Sequence, residues 1–291
     1  MPVEKTSAEQ KQPEPSDEDS VVPELTESER EEADHLTSVT PLVVHEAIRR
    51  QGDEELIRSV SALAWSGLAA GMSMGFSFIS EALLRSHLPN APWRPLITHL
   101  GYPFGFLIVI VGRQQLFTEN TLTAIIPLLA KRDLRTLIAV LRLWSVVLVA
   151  NLLGAHVFAW VLANTPVLKP EFHTTLTELA TEAANVGFGA AILRGIFAGW
   201  LIAMVVWLLA AMDTGPIAVI VILTYVVGLA GLTHVIAGSV EVLYLVMTGT
   251  KSWMSYAGGY FLPALIGNII GGVALVSALN HAQVVSGSPK S

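Results

Sequence analysis

Two short polar stretches interrupt the most apolar parts of this chain: RQQLFTENT at 113–121 and LTH at 232–234. Unpaired backbone in hydrocarbon costs several kcal/mol per group, so irregular chain at membrane depth implies protein or a water-filled cavity around it. Within these stretches the residues able to do chemistry are few. His234 carries an imidazole, which ordinarily titrates at about pH 6.5 and can exchange a proton under physiological conditions. Thr118, followed by Glu119 and Asn120, reads as a helix N-cap with an acidic first turn, and Thr233 opens a second helix in the same way. Two helix N-termini aimed at one place make an anion site. Glu119 is expected to complement its helix dipole, with a pore-facing carboxylate as the alternative. Glu241, two turns beyond His234, is expected to form a structural ion pair with Arg113, Arg142 or Arg194, and secondarily to influence substrate choice. His156 lies in a span away from either interruption and reads as structural.

The elements that must position these groups follow from composition. Of 291 residues, 52% are hydrophobic and only 14% charged, about half the charged share of a soluble domain. A span needs about 20 apolar residues, and the sequence offers them at 59–84, 97–131 with the interruption at 113–121, 135–163, 188–211, 215–249 with a break near 231–234, and 255–280. The fold class is therefore all-α membrane protein with six transmembrane helices, the second and fifth broken.

Markers recur between the halves. GLAAG (Gly67 to Gly71) matches GIFAG (Gly195 to Gly199), and NLLGA from Asn151 matches NIIGG from Asn268. LFT at 116–118 and LTH at 232–234 lie between them, with Thr118 placed opposite His234. Three spans per half is an odd number, so the second repeat (about 188–280) must be inverted relative to the first (about 59–163), as in many transporters with a midplane site. The paired glycines also let helices approach closely, and packing is their expected role.

Outside the spans, residues 1–36 hold twelve acidic against three basic side chains and form an expected disordered, cytoplasmic tail. Residues 37–58 alternate apolar and charged positions at helical spacing and suit an amphipathic helix on the membrane surface; 59–284 form the channel domain and 285–291 a short C-terminal tail. The basic cluster Lys131, Arg132 and Arg135 places that loop in the cytoplasm and the acidic 169–183 loop outside, so both termini are expected to be cytoplasmic. No signal-peptide pattern opens the chain, so the first internal helix leads insertion. With no cysteine, disulfides, thiolate metal sites and cysteine catalysis are excluded. There is no phosphate-cradling glycine loop, nucleophile elbow, metal-ligand pair or basic nucleic-acid patch, so neither an enzyme, a bound cofactor or metal, nor a nucleic-acid partner is expected.

On the long motifs RQQLFTENT and THVIAGSVEVLYLV, residues 40–284 resemble the formate/nitrite transporter family, and within it the YfdC-like branch. The resemblance implies a homopentamer of aquaporin-like protomers in a bacterial inner membrane, each with its own pore for a small monovalent anion or its weak acid. It implies that Leu116, Phe117 and Thr118 form the loop interrupting the second helix, that His234 is the central histidine, and that Tyr102 and Phe106 form an apolar constriction. In the mechanism it implies, an anion enters a positive vestibule and His234 lends it a proton for the dry passage. The chain departs from the better-known members at Thr233 (Glu there), Gly238 (Asn), Gly199 (Asn) and Val227 (aromatic), which thins the polar network around the histidine. A pore for a small neutral solute and a non-conducting membrane scaffold are the alternative readings, though no Asn-Pro-Ala signature of water channels stands at either break.

Overall fold

The computed structural model describes residues 26–28, 39–212 and 214–287. Apart from 26–28, the acidic segment expected to be disordered lies outside the described residues, and the C-terminal tail is described only to Gly287. Among the described residues there is no strand.

Helix α1 (Pro41–Ile57) starts on a proline, whose missing N–H costs nothing at a first helical position. Its buried residues Val44, His45, Ile48, Gly52 and Leu56 recur at four-residue spacing on one face. Opposite, Arg49 joins Glu46 and Asp53 at 2.7 Å each. Arg49 and Arg50 hold the half-buried Glu46 carboxyl at about 2, well below the usual carboxylate range. The helix is also tied to the rest of the protein. Asp53 pairs with Lys131 at 2.6 Å, the His45 and His281 rings meet at 3.0 Å, and a Cβ on Gly52 would lie 2.0 Å from the Thr123 carbonyl.

Helix α2 (Val60–His87), capped by the Ser59 hydroxyl, is followed by α3 (Arg94–Thr98), a single 3-10 turn and α4 (Pro103–Val111). Next come α5 (Asn120–Thr123), α6 (Ile125–Lys131) and α7 (Leu134–Asn164). Asp133 caps α7 by accepting from Thr136 N at 2.8 Å, which also keeps its carboxyl below the usual range. After α8 (Phe172–Ala184) and α9 (Phe188–Ala210) come α10 (Pro216–Leu229) and α11 (Ala237–Met247). The last helical run contains α12 (Leu262–Ile269) and α13 (Leu279–Gly287), with wider π-type turns at Ser255–Phe261 and Ile270–Ala278. Among the described residues, five stretches are long and apolar enough to cross a membrane: Val60–His87, Arg94–Val111, Leu134–Asn164, Phe188–Ala210 and Ser255–Val284. Pro216–Leu229 and Ala237–Met247 are apolar but shorter. This is an all-α membrane protein.

Helix α8 occupies what reads in sequence as an acidic loop. Phe172, Leu176, Leu179 and Ala180 turn one apolar stripe inward, while Glu178 and Glu182 reach Arg85 at 3.3 and 2.7 Å. The glycines do the packing expected of them: α2 lies against α7 with Gly71 so close that a Cβ would sit 2.0 Å from the Asn151 carbonyl, and α9 lies against α12 with Gly199 at 2.4 Å from that of Asn268.

Candidate substrate pathway

Each polar interruption is held by one asparagine. Asn151 on α7 accepts from Phe117 N at 2.9 Å through Oδ1, and its Nδ2 donates to the carbonyls of Gly67 (2.7 Å) and Gln115 (2.9 Å). Asn268 on α12 repeats the set: Val235 N donates to it at 2.8 Å, and it donates to Gly195 (2.9 Å) and Thr233 (2.8 Å). Both residues are fully buried, so every amide atom needs such a partner. The asparagines that mark the sequence repeat thus satisfy the irregular backbone, and the Gly67 and Gly195 carbonyls anchor their side chains.

These bonds correct the register of the repeat. They equate Phe117 with Val235 and Gln115 with Thr233, and the turns that end the preceding helices agree: Gln114 N donates to Val109 O and Leu232 N to Val227 O. By this pairing the counterpart of His234 is Leu116, and that of Thr118 is Ile236. Thr118 and His234 are not equivalent positions; they meet from different ones.

They do meet. Thr118 Oγ1 lies 2.9 Å from His234 Nε2, with both residues buried. On the other ring nitrogen, Nδ1 accepts from Ile236 N at 3.3 Å and Ala237 N at 3.1 Å. His234 therefore caps α11, the function sequence assigned to Thr233, and no Thr118 side-chain cap exists at α5. Two N–H donors on Nδ1 leave the neutral ring its hydrogen on Nε2. That hydrogen goes to Thr118 Oγ1, whose own hydroxyl hydrogen has no acceptor among the described residues.

Phe106 lies edge-on to His234 with centroids 5.1 Å apart, and the Tyr102 ring lies 5.4 Å from that of Phe106. A cavity of about 210 Å³ reaches this point, and Tyr102, Val227, Thr233, His234, Gly238 and Glu241 line it. Gly238 is there for space: a Cβ would fall 1.6 Å from the Tyr260 hydroxyl, which donates to the His234 carbonyl at 3.1 Å. Other expected site residues lie elsewhere. Leu116 is in the core, Phe117 turns its ring to Trp144 on α7 at 5.6 Å, and Gly199 sits in the α9–α12 contact. Glu119 is outside the cavity lining, and one of its carboxyl oxygens is buried without a partner.

The expected ion pair of Glu241 does not form. Arg142 donates to the Leu56 carbonyl and Arg194 to that of Gly231, and no ion pair reaches Glu241 among the described residues. The vestibule is not positive either: beside Arg194, the cavity wall carries Glu81, Glu182 and Glu241. Sequence reading passed over Glu81, which holds His99 at 2.5 Å, and Tyr260; each looks like an ordinary residue of an apolar helix until the chain is folded. His156 stacks near Trp253 with centroids 5.6 Å apart, away from the cavity lining.

Residues 42–282 match the family model described as formate/nitrite transporter. The chain belongs to the formate/nitrite transporter family. It is 39% identical over 243 residues to the inner membrane protein YfdC of Escherichia coli (strain K12), covering 84% of this chain and 78% of that protein. It is 25% identical to the formate channel BtFdhC of Bacillus thuringiensis, covering 81% and 92% of the two chains. Among solved structures, a pentameric formate channel with formate bound matches with a TM-score of 0.64 at 18% identity, covering 81% of this chain and 99% of that one. An FNT family ion channel matches with 0.69 at 14%, covering 82% and 98%. At those identities the likeness is of fold. A formate/nitrite transporter family member with these apolar helices is a membrane transporter or channel, and the family is one of channels and transporters, not enzymes.

Proposed function

We propose that this protein conducts a small monovalent anion or its weak acid, of the formate or nitrite kind, across a bacterial inner membrane. The observation that carries this reading is the buried Thr118–His234 pair, whose imidazole lines a cavity of about 210 Å³. A fully buried hydroxyl and imidazole are costly unless they serve the fold or a solute. Here the imidazole caps α11 while the hydroxyl hydrogen has no protein acceptor among the described residues. Residues 59–284 form the channel domain, with six crossings in two inverted halves whose second and fifth crossings are interrupted at 112–119 and 230–236. Five protomers assemble, each with its own pore, with both termini cytoplasmic. The central pair supplies one hydrogen-bond donor, the Thr118 hydroxyl, to a solute squeezed past Phe106 and Tyr102. For His234 to lend its Nε2 proton, Nδ1 would have to take another in its place and give up two backbone N–H partners, so hydrogen bonding fits the geometry better than proton donation.

The test is flux into proteoliposomes of purified protein with formate, nitrite, acetate, urea and glycerol. Weak acids are expected to enter faster than into empty vesicles. Thr118→Val, which keeps the shape and removes the donor, should slow them by about tenfold, the equivalent of one hydrogen bond. Faster urea or glycerol entry than acid entry would point to a neutral-solute pore, and no flux of any solute to a scaffold.

A further inference from the structure

Where α1 meets α7, a groove of about 810 Å³ that also carries Lys131 and Arg135 contains a cation the fold leaves half used. Arg142 donates through Nη2 to the Leu56 carbonyl at 2.6 Å, one of the carbonyls that the end of α1 leaves without a helical partner. Its Nε is buried without an acceptor, and Nη1 has none either among the described residues. No carboxylate pairs with it, and a cation inside a span is costly without one. The carboxylates along the groove are mostly engaged elsewhere. Asp53 is held by Arg49 at 2.7 Å and Lys131 at 2.6 Å, and Asp133 accepts from Thr136 N and Oγ1, both at 2.8 Å. Glu54 is exposed and unpaired, as is Arg135, and Arg58, just after Ile57 of the lining, also lacks a carboxylate. Set against one another, these leave three cations, Arg58, Arg135 and Arg142, facing a single free carboxylate.

Depth and surroundings say what anion suits them. The 31 residues of α7 span about 46 Å against a hydrocarbon core of about 30 Å, so a centred helix projects about 8 Å at each end. Arg142, about 12 Å along, has its Cα about 4 Å below that boundary, and helical side chains lean toward the N-terminus, which lifts its guanidinium to the level of lipid phosphates. Arg135 lies two turns nearer the end on the same face. The flank of the groove is apolar: Ile57 is 82% exposed, and Ile138, Leu141 and Val149 lead from the groove along one exposed face of α7 into the span. A soluble anion leaves that stripe uncovered, whereas an acyl chain covers it. We propose that the groove binds an anionic phospholipid, its phosphate received by Arg142 and Arg135 and its acyl chains laid along Ile138, Leu141 and Val149. A guanidinium fork matches phosphate oxygens, and basic pockets at the cytoplasmic ends of spans attract anionic headgroups. The site is independent of which solute crosses the membrane. Because Arg142 also holds the end of α1, an occupied groove joins the surface helix, the span and the lipid through one guanidinium.

The test uses the full chain, delipidated in detergent, titrated with phosphatidylglycerol, phosphatidylcholine or glycerol 3-phosphate and read by native mass spectrometry as ligand bound per protomer. Phosphatidylglycerol should bind about tenfold more tightly than phosphatidylcholine, the equivalent of one charge-assisted hydrogen bond. Glycerol 3-phosphate at equal concentration should not displace it. Arg142→Gln should bring the two lipids to within about twofold of each other. Arg135→Gln, whose side chain has no protein partner to lose, should narrow the preference by about threefold in a protein that folds as the wild type does. Equal binding of the two lipids by the wild type would overturn the proposal with no variant needed, and so would a preference that survives both substitutions. Displacement by glycerol 3-phosphate would make the groove a soluble-anion site and overturn the lipid assignment.

Discussion

Asn151 and Asn268 carry more of this site than the residues that advertise it. Each makes three hydrogen bonds that close the backbone on either side of the Thr118–His234 pair. Replacing either by Ala leaves one carbonyl and one N–H of the interruption without their partners, at roughly 1–3 kcal/mol for each group that finds no water, while the Gly67 or Gly195 carbonyl keeps its helical bond. We expect Asn151→Ala and Asn268→Ala each to lose about 2–4 kcal/mol of stability, read as a lowered unfolding midpoint in detergent, and to reduce flux with it. Asn→Asp should be nearly as harmful, since it keeps the acceptor and loses both donors. Thr118 and His234 were legible in sequence because polar side chains inside apolar runs are conspicuous. The asparagines showed only as repeat markers. The register slipped by two for a related reason: side-chain likeness between Leu-Phe-Thr and Leu-Thr-His suggested one alignment, whereas backbone N–H and C=O partners, invisible in sequence, set another.

At the scale of elements, the two helices that lead into the interruptions end alike, in a left-handed residue: Arg113 (φ 49°) after α4 and Gly231 (φ 58°) after α10. Glycine adopts that conformation freely, whereas a residue with a Cβ is strained there by about 1–2 kcal/mol. Arg113 is exposed and its side chain makes no hydrogen bond or ion pair among the described residues, so nothing evident offsets the strain. Arg113→Gly should therefore raise stability by about 0.5–1 kcal/mol, and Gly231→Ala should lower it by about 1, both measured as shifts in the unfolding midpoint. The same scale shows where sequence reading was strong and weak. The helices Val60–His87, Leu134–Asn164 and Phe188–Ala210 were placed to within three residues at each end, because their hydropathy is unambiguous. Helix α8 was read as loop, because carboxylates at 178 and 182 outweigh a narrow apolar stripe whose burial depends on neighbours far away in the chain.

For the whole molecule, the sidedness decides what the carboxyl-lined cavity is for. Leu179, Glu182 and Val186 place that cavity on the face of the segment joining α7 to α9, while Lys131, Arg132 and Arg135 mark the opposite turn. Positive residues are retained in the cytoplasm, so the cavity should open outward. A chain without cysteine makes the test clean. Val167→Cys and Leu134→Cys both lie at exposed positions, 56% and 70% accessible. On intact cells an impermeant maleimide should label the first at once and the second only after permeabilisation, and the reverse pattern would put the cavity on the cytoplasmic face. The two outcomes have different chemical consequences. An outward cavity would present its carboxyl wall to solute arriving from the surroundings and so act on uptake; an inward one would present it to the cell interior and act on export.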